Sequence, residues 1–329
     1  VFERRELYDK PCGEAVSREV FNIVPLKPKL PIISNEVRGI HIYFRDEHIR
    51  EVKTEVEWYI LNKRVFLDEV KEIILNEGGR VFYRTNIVDV NPVKGKIADS
   101  RGNIYTADLI IDAGGHFSVT WKKGLLNYGG YELAPTSQCR CEIKDMDYEK
   151  IHLNYYSDGY SWIFFKDEEV ANVGVGRLHT NVKRGLEEII RRRGFKQISR
   201  MEMNSVSIGG VIPNFSYEKL RVVGEAAGMV FPHTGEGIRP SMIAGKMVLM
   251  EDYRERFMRD IGRRIQRYRD FLRILLSNFT ASDARNFASI ADEKLAYKLF
   301  YGEKYIFNLK MLAKPKLIMK LLPFILKAK

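Results

Sequence analysis

The sequence predicts an α/β chain with a β-rich insertion and a basic, helical C-terminal region. Three observations carry this. The apolar run Leu220 to Val223 reads as a short buried strand, and Ile238 to Met250 has helical apolar spacing, so "GEAAGMVFPHTGEGIRPSMIAG" between and around them is a strand end, a glycine-rich turn and a helix start. From about Leu133 to Val211 the pattern alternates, most clearly in "GYSWIFFKDEEVANVGVG" from Gly159 to Gly176, which puts Tyr160, Trp162 and Phe164 on one face of a strand. Residues 251–329 carry 18 Lys and Arg against 9 Asp and Glu and read as helical.

The remaining elements follow in order. "VFER" (Val1 to Arg4) looks like the end of a strand whose start is missing, and the chain is expected to lack its true N-terminus. "KPCGEAVS" (Lys10 to Ser17) reads as a loop running into a helix. Ile40 to Phe44 and Glu55 to Asn62 read as strands. Lys63 to Gly79 is an amphipathic helix with Phe66, Val70, Ile73 and Ile74 on one face, ended by Gly78 and Gly79. Arg80 to Val90 reads as a strand, and Gly95 to Gly115 as a hairpin followed by a buried strand, Leu109 to Ile111, that stops at Asp112, Gly114 and Gly115. A helix from Arg184 to Arg193 interrupts the β section, and Pro240 falls in a first helical turn, where its missing N–H costs little.

Composition narrows the function classes. The 329 residues are 45% hydrophobic, enough for a real core. A net charge of +11 favours anionic partners such as phosphate groups or anionic lipid. No helix-turn-helix, zinc finger or base-stacking motif accompanies that charge, so no nucleic-acid partner is expected. Three cysteines, Cys12, Cys139 and Cys141, make no disulfide framework, and Cys-x-Cys lacks the second ligand pair of a zinc site. A reducing cytoplasm is expected, and no metal. No run of about 18 apolar residues predicts a spanning helix. The last stretch, "MLAKPKLIMKLLPFILKAK", combines apolar residues with lysines and no acid, which suits a peripheral position at a membrane surface or packing on the body.

The glycine-rich turn is the chemically pointed feature. Glycines let backbone approach a ligand closely, and free N–H groups at a helix start favour negative charge.

Taken together, "VFER", "KPCGEA", "NKRVFLDEV", "GYSWIFFK" and "VVGEAAGMVFPHTGEGI" resemble blocks of the geranylgeranyl reductase family, in their expected order over residues 1–250. The family includes the archaeal digeranylgeranylglycerophospholipid reductases. The resemblance implies a Rossmann-like FAD-binding domain of the p-hydroxybenzoate hydroxylase type, an inserted antiparallel substrate domain and a helical C-terminal region. The corresponding division is 1–132 with 212–250 for FAD, 133–211 for substrate and 251–329 for the basic tail. Three departures stand out. The Gly-x-Gly-x-x-Gly turn would precede Val1, Glu225 stands where the family has Asp, and Phe165 replaces a proline of the aromatic motif.

The resemblance also implies roles. Glu3 would accept from the adenosine ribose hydroxyls. Cys12, Gly13 and Ala15 would lie beside the flavin ring, Arg64 near the cofactor, and Val88 would offer backbone to the adenine. Glu225 would reach the ribityl or pyrophosphate region. Gly235, Gly237 and Ile238 would place N–H groups near the pyrimidine side of the isoalloxazine, where a helix N-terminus favours anionic reduced flavin, with Glu236 orienting the loop. Tyr160, Trp162 and Phe164 would form an apolar wall for a polyprenyl chain, or else ordinary sheet core; His233 and Tyr155 are polar groups nearby. The catalytic acid is left open. The implied function is an FAD-dependent reductase of geranylgeranyl double bonds in membrane lipid precursors, with ferredoxin or reduced nicotinamide as electron donor. A flavin monooxygenase or halogenase, a quinone-linked dehydrogenase, and a non-catalytic membrane-associated remnant are the alternatives.

Overall fold

A computed structural model describes residues 1–6, 10–278, 280, 282–283, 285–286, 298 and 314–326. Fifteen strands are described. The largest sheet holds nine, in the order β1 (Ala15–Ser17), β3 (Glu47–Leu61), β2 (Ile33–Phe44), β9 (Ile151–Tyr156), β10 (Gly159–Phe165), β11 (Val170–Arg177), β8 (Leu133–Glu142) and β12 (Lys196–Gln197), with β13 (Glu202–Ser207) also on β8. Only β2 and β9 pair in parallel within it, Ile40 opposite Ile151. Residues 15–61, which the sequence division assigns to the cofactor part, supply three of its strands. A meander of β4 (Ile87–Asn91), β5 (Lys96–Asp99) and β6 (Ile104–Thr106) forms a second sheet. The third joins β14 (Ser216–Tyr217), β15 (Leu220–Val222) and β7 (Ile110–Asp112), with β15 and β7 parallel.

Alternation along β10 divides the large sheet's two cores. Ile163 and Phe165 face a cluster with Val173, Val175 and the helix α4, while Trp162 faces Val37, Ile40, Trp58 and Leu153. The helices are α1 (Val20–Ile23), α2 (Lys63–Asn76), α3 (Val119–Lys122), α4 (Val182–Arg193), α5 (Ile238–Met247), α6 (Tyr253–Phe257), α7 (Arg263–Asn278) and α8 (Pro315–Leu326). Asn181 caps α4 by accepting from the Arg184 N–H, and Gly194 ends it at φ 68°. A third core gathers β15, the 226–231 segment and α5 to α7; Leu317 of α8 is buried in it.

Several expectations change on folding. The segment expected as a strand from Arg80 to Val90 is regular only from Ile87, because Arg84 takes a φ of 51°. Phe82 instead makes an isolated parallel bridge to Phe2. The strand expected to be buried at Leu109 to Ile111 leaves Ile111 44% exposed, since β7 is an edge of its small sheet. The expected loop from Lys10 to Ser17 holds a strand, β1, paired with β3 through Ala15 and Ile60. Of the basic tail, residues 279, 281, 284, 287–297, 299–313 and 327–329 lie outside the described residues.

Candidate functional site

The parallel pair β7 and β15 brings its carboxyl ends side by side, the side on which open α/β sheets usually bind ligands. Each strand runs into a short glycine turn, Gly115–Phe117 and Gly224–Ala227. Asp112 braces the first turn by accepting from the Gly114 N–H at 2.8 Å and from the Thr120 hydroxyl at 2.6 Å. The second turn must stay open at Gly228, where an added methyl would lie 2.1 Å from the Gly210 carbonyl oxygen.

Glu225, on the second turn, reaches its side chain toward the first. Its Oε1 accepts from the Ser207 N–H at 3.0 Å, and its Oε2 pairs with the Lys10 ammonium. Tyr131 donates to the Glu225 carbonyl at 2.9 Å. Burial pulls Lys10 down to about 8. The buried His116 ring lies on the first turn with Nδ1 3.5 Å from Glu225 Oε2. Burial first, then the charges of Lys10 and Arg4, hold His116 down to about 4.

The turn before α5 is fixed by Arg239, itself 2% exposed. Its guanidinium grips Glu236 through two bonds of 2.8 Å, reaches Glu19 at 3.1 Å and lies 5.3 Å from the Phe231 ring centroid. Glu236 returns a carbonyl to the Phe231 N–H at 2.9 Å. Gly235 takes a φ of 70°, Gly237 precedes α5, and Ile238 opens it, packing against the cluster that holds Leu61 and Phe66.

The aromatic side chains of β10 connect this turn to the Cys12 loop. Tyr160 donates to the Thr234 carbonyl, and a methyl on Gly235 would come 2.8 Å from its hydroxyl. Burial pushes the Tyr160 phenol well up, and so does burial at Tyr155, whose ring centroid is 5.7 Å from it. Trp162 and Phe164 continue the row, with centroids 6.2 Å apart. Trp162 Nε1 donates to Asn172 Oδ1 at 2.7 Å. Gly13 lies against both rings: a methyl there would be 2.8 Å from Phe164 Cε2 and 3.3 Å from Trp162 Nε1. Cys12 Sγ accepts from the Glu14 N–H at 3.3 Å, and Ala15 joins the Trp162 cluster. Phe165 faces the opposite core, away from this row.

Cys12, Gly13, Ala15, Tyr160, Trp162, Phe164 and Gly235 are therefore neighbours, with Glu225 tied to them through Lys10. Glu3 lies elsewhere, bonded to Phe82 and Thr85, its carboxylate accepting from the Arg5 N–H at 2.8 Å. Arg64 is exposed in the first turn of α2, and Val88 is exposed on β4. His233 is stacked on Tyr268 at 4.1 Å, inside the third core. Sequence reasoning passed over Lys10, His116, Lys166 and Arg239. Lys166 closes the aromatic motif and Arg239 follows Gly-Glu-Gly-Ile, so both had a signal; His116 had none.

The residues present fit a flavin dinucleotide. Two glycine turns at parallel strand ends leave Gly115 open, its nearest neighbour for an added methyl being Glu225 Oε2 at 4.0 Å. The Gly235–Gly237 turn and the Cys12–Gly13 loop meet at one aromatic row.

Comparison with known proteins places this geometry. Residues 134–211 match the family model described as geranylgeranyl reductase catalytic domain. The digeranylgeranylglycerophospholipid reductase of Methanothrix thermoacetophila is 27% identical over 309 residues, covering 82% of this chain and 79% of that protein. Over most of its length the chain is thus similar to digeranylgeranylglycerophospholipid reductases, with the geranylgeranyl reductase catalytic domain matched at residues 134–211. Digeranylgeranylglycerophospholipid reductase 1 of Methanosphaera stadtmanae is 28% identical over 72% of this chain, which spans 64% of that relative's length. Among solved structures, a geranylgeranyl bacteriochlorophyll reductase-like protein of Thermoplasma acidophilum shares the fold with a TM-score of 0.80 at 20% identity, covering 98% of this chain and 92% of that one. A probable FAD-dependent monooxygenase of Pseudomonas aeruginosa aligns at 0.68 and 12% identity, covering 88% and 92%. The fold is that of p-hydroxybenzoate hydroxylase-type flavoproteins.

Proposed function

We propose that this chain is a member of the geranylgeranyl reductase family, an FAD-dependent reductase that saturates isoprenoid double bonds of a membrane lipid precursor of the digeranylgeranylglycerophospholipid kind. The observation that carries this reading is Gly13 packed against Trp162 and Phe164 while Tyr160 bonds to Thr234 beside Gly235. An apolar row is thereby closed at both ends by the two segments expected to border the flavin. A polyprenyl chain offers only apolar surface, and burying it there is worth about 25 cal/mol per Å2.

On this reading Cys12, Gly13, Ala15, Glu225, Gly235, Gly237 and Ile238 hold the cofactor, with Glu3, Arg64 and Val88 toward its adenosine end. Tyr160, Trp162 and Phe164 align the substrate. Reduced FAD bound there would supply hydride to one alkene carbon while a proton reaches the other. The chain's own work is to hold the alkene against the flavin face, exclude water with the aromatic row, and keep the 234–237 turn rigid through Arg239. Residues 1–132 and 212–250 serve the cofactor, with β1 to β3 lent to the sheet of the 133–211 substrate part. The electron donor is ferredoxin or reduced nicotinamide.

Among the described residues no helix is long and apolar enough to cross a membrane. A cytoplasmic, peripheral position suits the basic 251–329 region. In α8, Leu317 docks on the body while Met319 stays 74% exposed beside Lys320.

The test is direct. The purified chain is incubated with FAD, desalted and scanned in the visible, then assayed anaerobically with geranylgeranyl lipid and dithionite. Retained flavin bands and a mass gain of two hydrogens per reduced bond support the proposal. A colourless protein, or a flavoprotein that leaves the lipid unchanged, overturns it.

A further inference from the structure

We infer that His116 is a hydrogen-bonding ligand of the polar chain, ribityl hydroxyls or phosphate oxygens, that joins the two ring systems of the bound dinucleotide. This rests on the FAD reading above.

The side chain of His116 is 6% exposed, and neither ring nitrogen has a hydrogen-bond partner among the described residues. Buried polar groups are nearly always bonded, and one left unmade costs stability, so an imidazole with both nitrogens idle needs an explanation. A purely structural histidine would bond a carbonyl or carboxylate of the protein. The nearest such group, Glu225 Oε2, is 3.5 Å from Nδ1 and is already taken by Lys10. The ring packs on Phe117, with centroids 4.2 Å apart, which fixes its plane.

The position points to a ligand independently of the missing partners. His116 stands on the turn that follows β7, and Glu225 on the turn that follows β15, the two parallel strands whose carboxyl ends lie side by side. Beside His116, Gly115 adopts a φ of 70°, and the nearest atom to a methyl there would be Glu225 Oε2 at 4.0 Å. An imidazole, a carboxylate and an ammonium grouped in this way suit a ligand that carries both hydroxyl donors and anionic acceptors. Burial first, and then the charges of Lys10 and Arg4, keep the imidazole neutral, so it offers one donor and one acceptor. A neutral histidine can therefore bond a phosphate oxygen on one side and a hydroxyl on the other.

The experiment titrates the full chain at pH 7.5 with FAD, FMN and riboflavin, followed by flavin fluorescence. It compares the wild type with His116→Leu and His116→Gln. The ligand-free Tm of each is measured alongside. His116→Leu is expected to raise the Kd for FAD at least tenfold while its ligand-free Tm stays level or rises, because an unsatisfied polar group has gone. His116→Gln, with a donor and an acceptor, is expected to recover part of the affinity. A loss shared by riboflavin assigns the hydroxyls; a loss confined to FMN and FAD assigns the phosphates; both support the inference. His116→Leu binding FAD as tightly as the wild type overturns it and leaves the FAD reading standing. If His116→Leu does not fold, His116→Phe is measured in its place, and a folded His116→Phe that binds FAD as tightly as the wild type overturns it. A wild type that binds none of the three flavins overturns the FAD reading and this inference together.

Discussion

Lys166 Nζ and Glu14 Oε2 form an ion pair of 2.7 Å in which both side chains are under one-tenth exposed. The pair spans 152 residues and joins the end of the aromatic strand to the Cys12 loop. Lys166 also donates to the Leu61 carbonyl, and Glu14 takes a φ of 68°, a conformation uncommon for a residue with a side chain. Burial lowers the Lys166 ammonium from its ordinary value, with Glu14 opposing the shift.

Removing Lys166 leaves the buried Glu14 carboxylate only the half-exposed Arg140 guanidinium, 3.5 Å away. Lys166→Met is expected to destabilise the protein by about 3 kcal/mol, read by urea denaturation. Adding Glu14→Gln should return a good part of that loss. If the two single changes simply add, the pair is not coupled. FAD affinity should fall with Lys166→Met, because Gly13 lies one residue from the released anchor.

Gly174 makes room for the Trp162 indole. A methyl at 174 would stand 2.1 Å from Trp162 Cζ2. Gly174→Ala should cost about 1–3 kcal/mol by overpacking, break the Trp162–Asn172 bond and raise KM for the lipid more than it lowers kcat. Gly185 in α4 is the contrast, since its methyl would meet only Thr180 Cγ2 at 3.7 Å. Gly185→Ala should stabilise by up to about 1 kcal/mol. Equal effects at the two sites would contradict the packing argument.

Arg239 is replaceable by no other cation. Lysine cannot reproduce the paired bonds to Glu236 and the reach to Glu19. Arg239→Lys is expected to speed FAD dissociation several-fold, and Arg239→Met to cost about 3 kcal/mol or more in stability. Stopped-flow release of flavin from each variant measures the first.

Acid should unfold the protein through its buried histidines. His152 bonds the Asp147 carbonyl at 3.0 Å, and burial holds it down to about 4 from 6.5, as for His116. A depressed folded value means the native ring stays neutral while the unfolded ring takes a proton. Their contribution is complete above pH 6.5 and is lost as pH falls from 6.5 toward 4, at up to about 1.4 kcal/mol per pH unit for each ring. Urea midpoints at pH 7.5, 6 and 5 should show this slope, and His152→Phe should flatten it by one ring's share. A slope indifferent to that change would remove His152 from the account.

What the sequence determined by itself is what local pattern determines. The period of 3.6 set α2 and α4, alternation set β10 and β11, and the glycine turn with Pro240 announced α5. The aromatic row and the Gly235 turn were readable for the same reason, because strand pleating and helix starts are short-range. Tertiary structure alone decided how those pieces meet. That β1 to β3 join the sheet of β8 to β13 depends on pairings across more than a hundred residues, as Ile40 with Ile151 does. Phe165, out of pattern in the motif, faces the other core because its neighbour Phe164 faces the row. Lys10, His116, Lys166 and Arg239 are ordinary charged or polar residues along the chain. Their character comes from burial and from one or two distant partners, which no local pattern encodes.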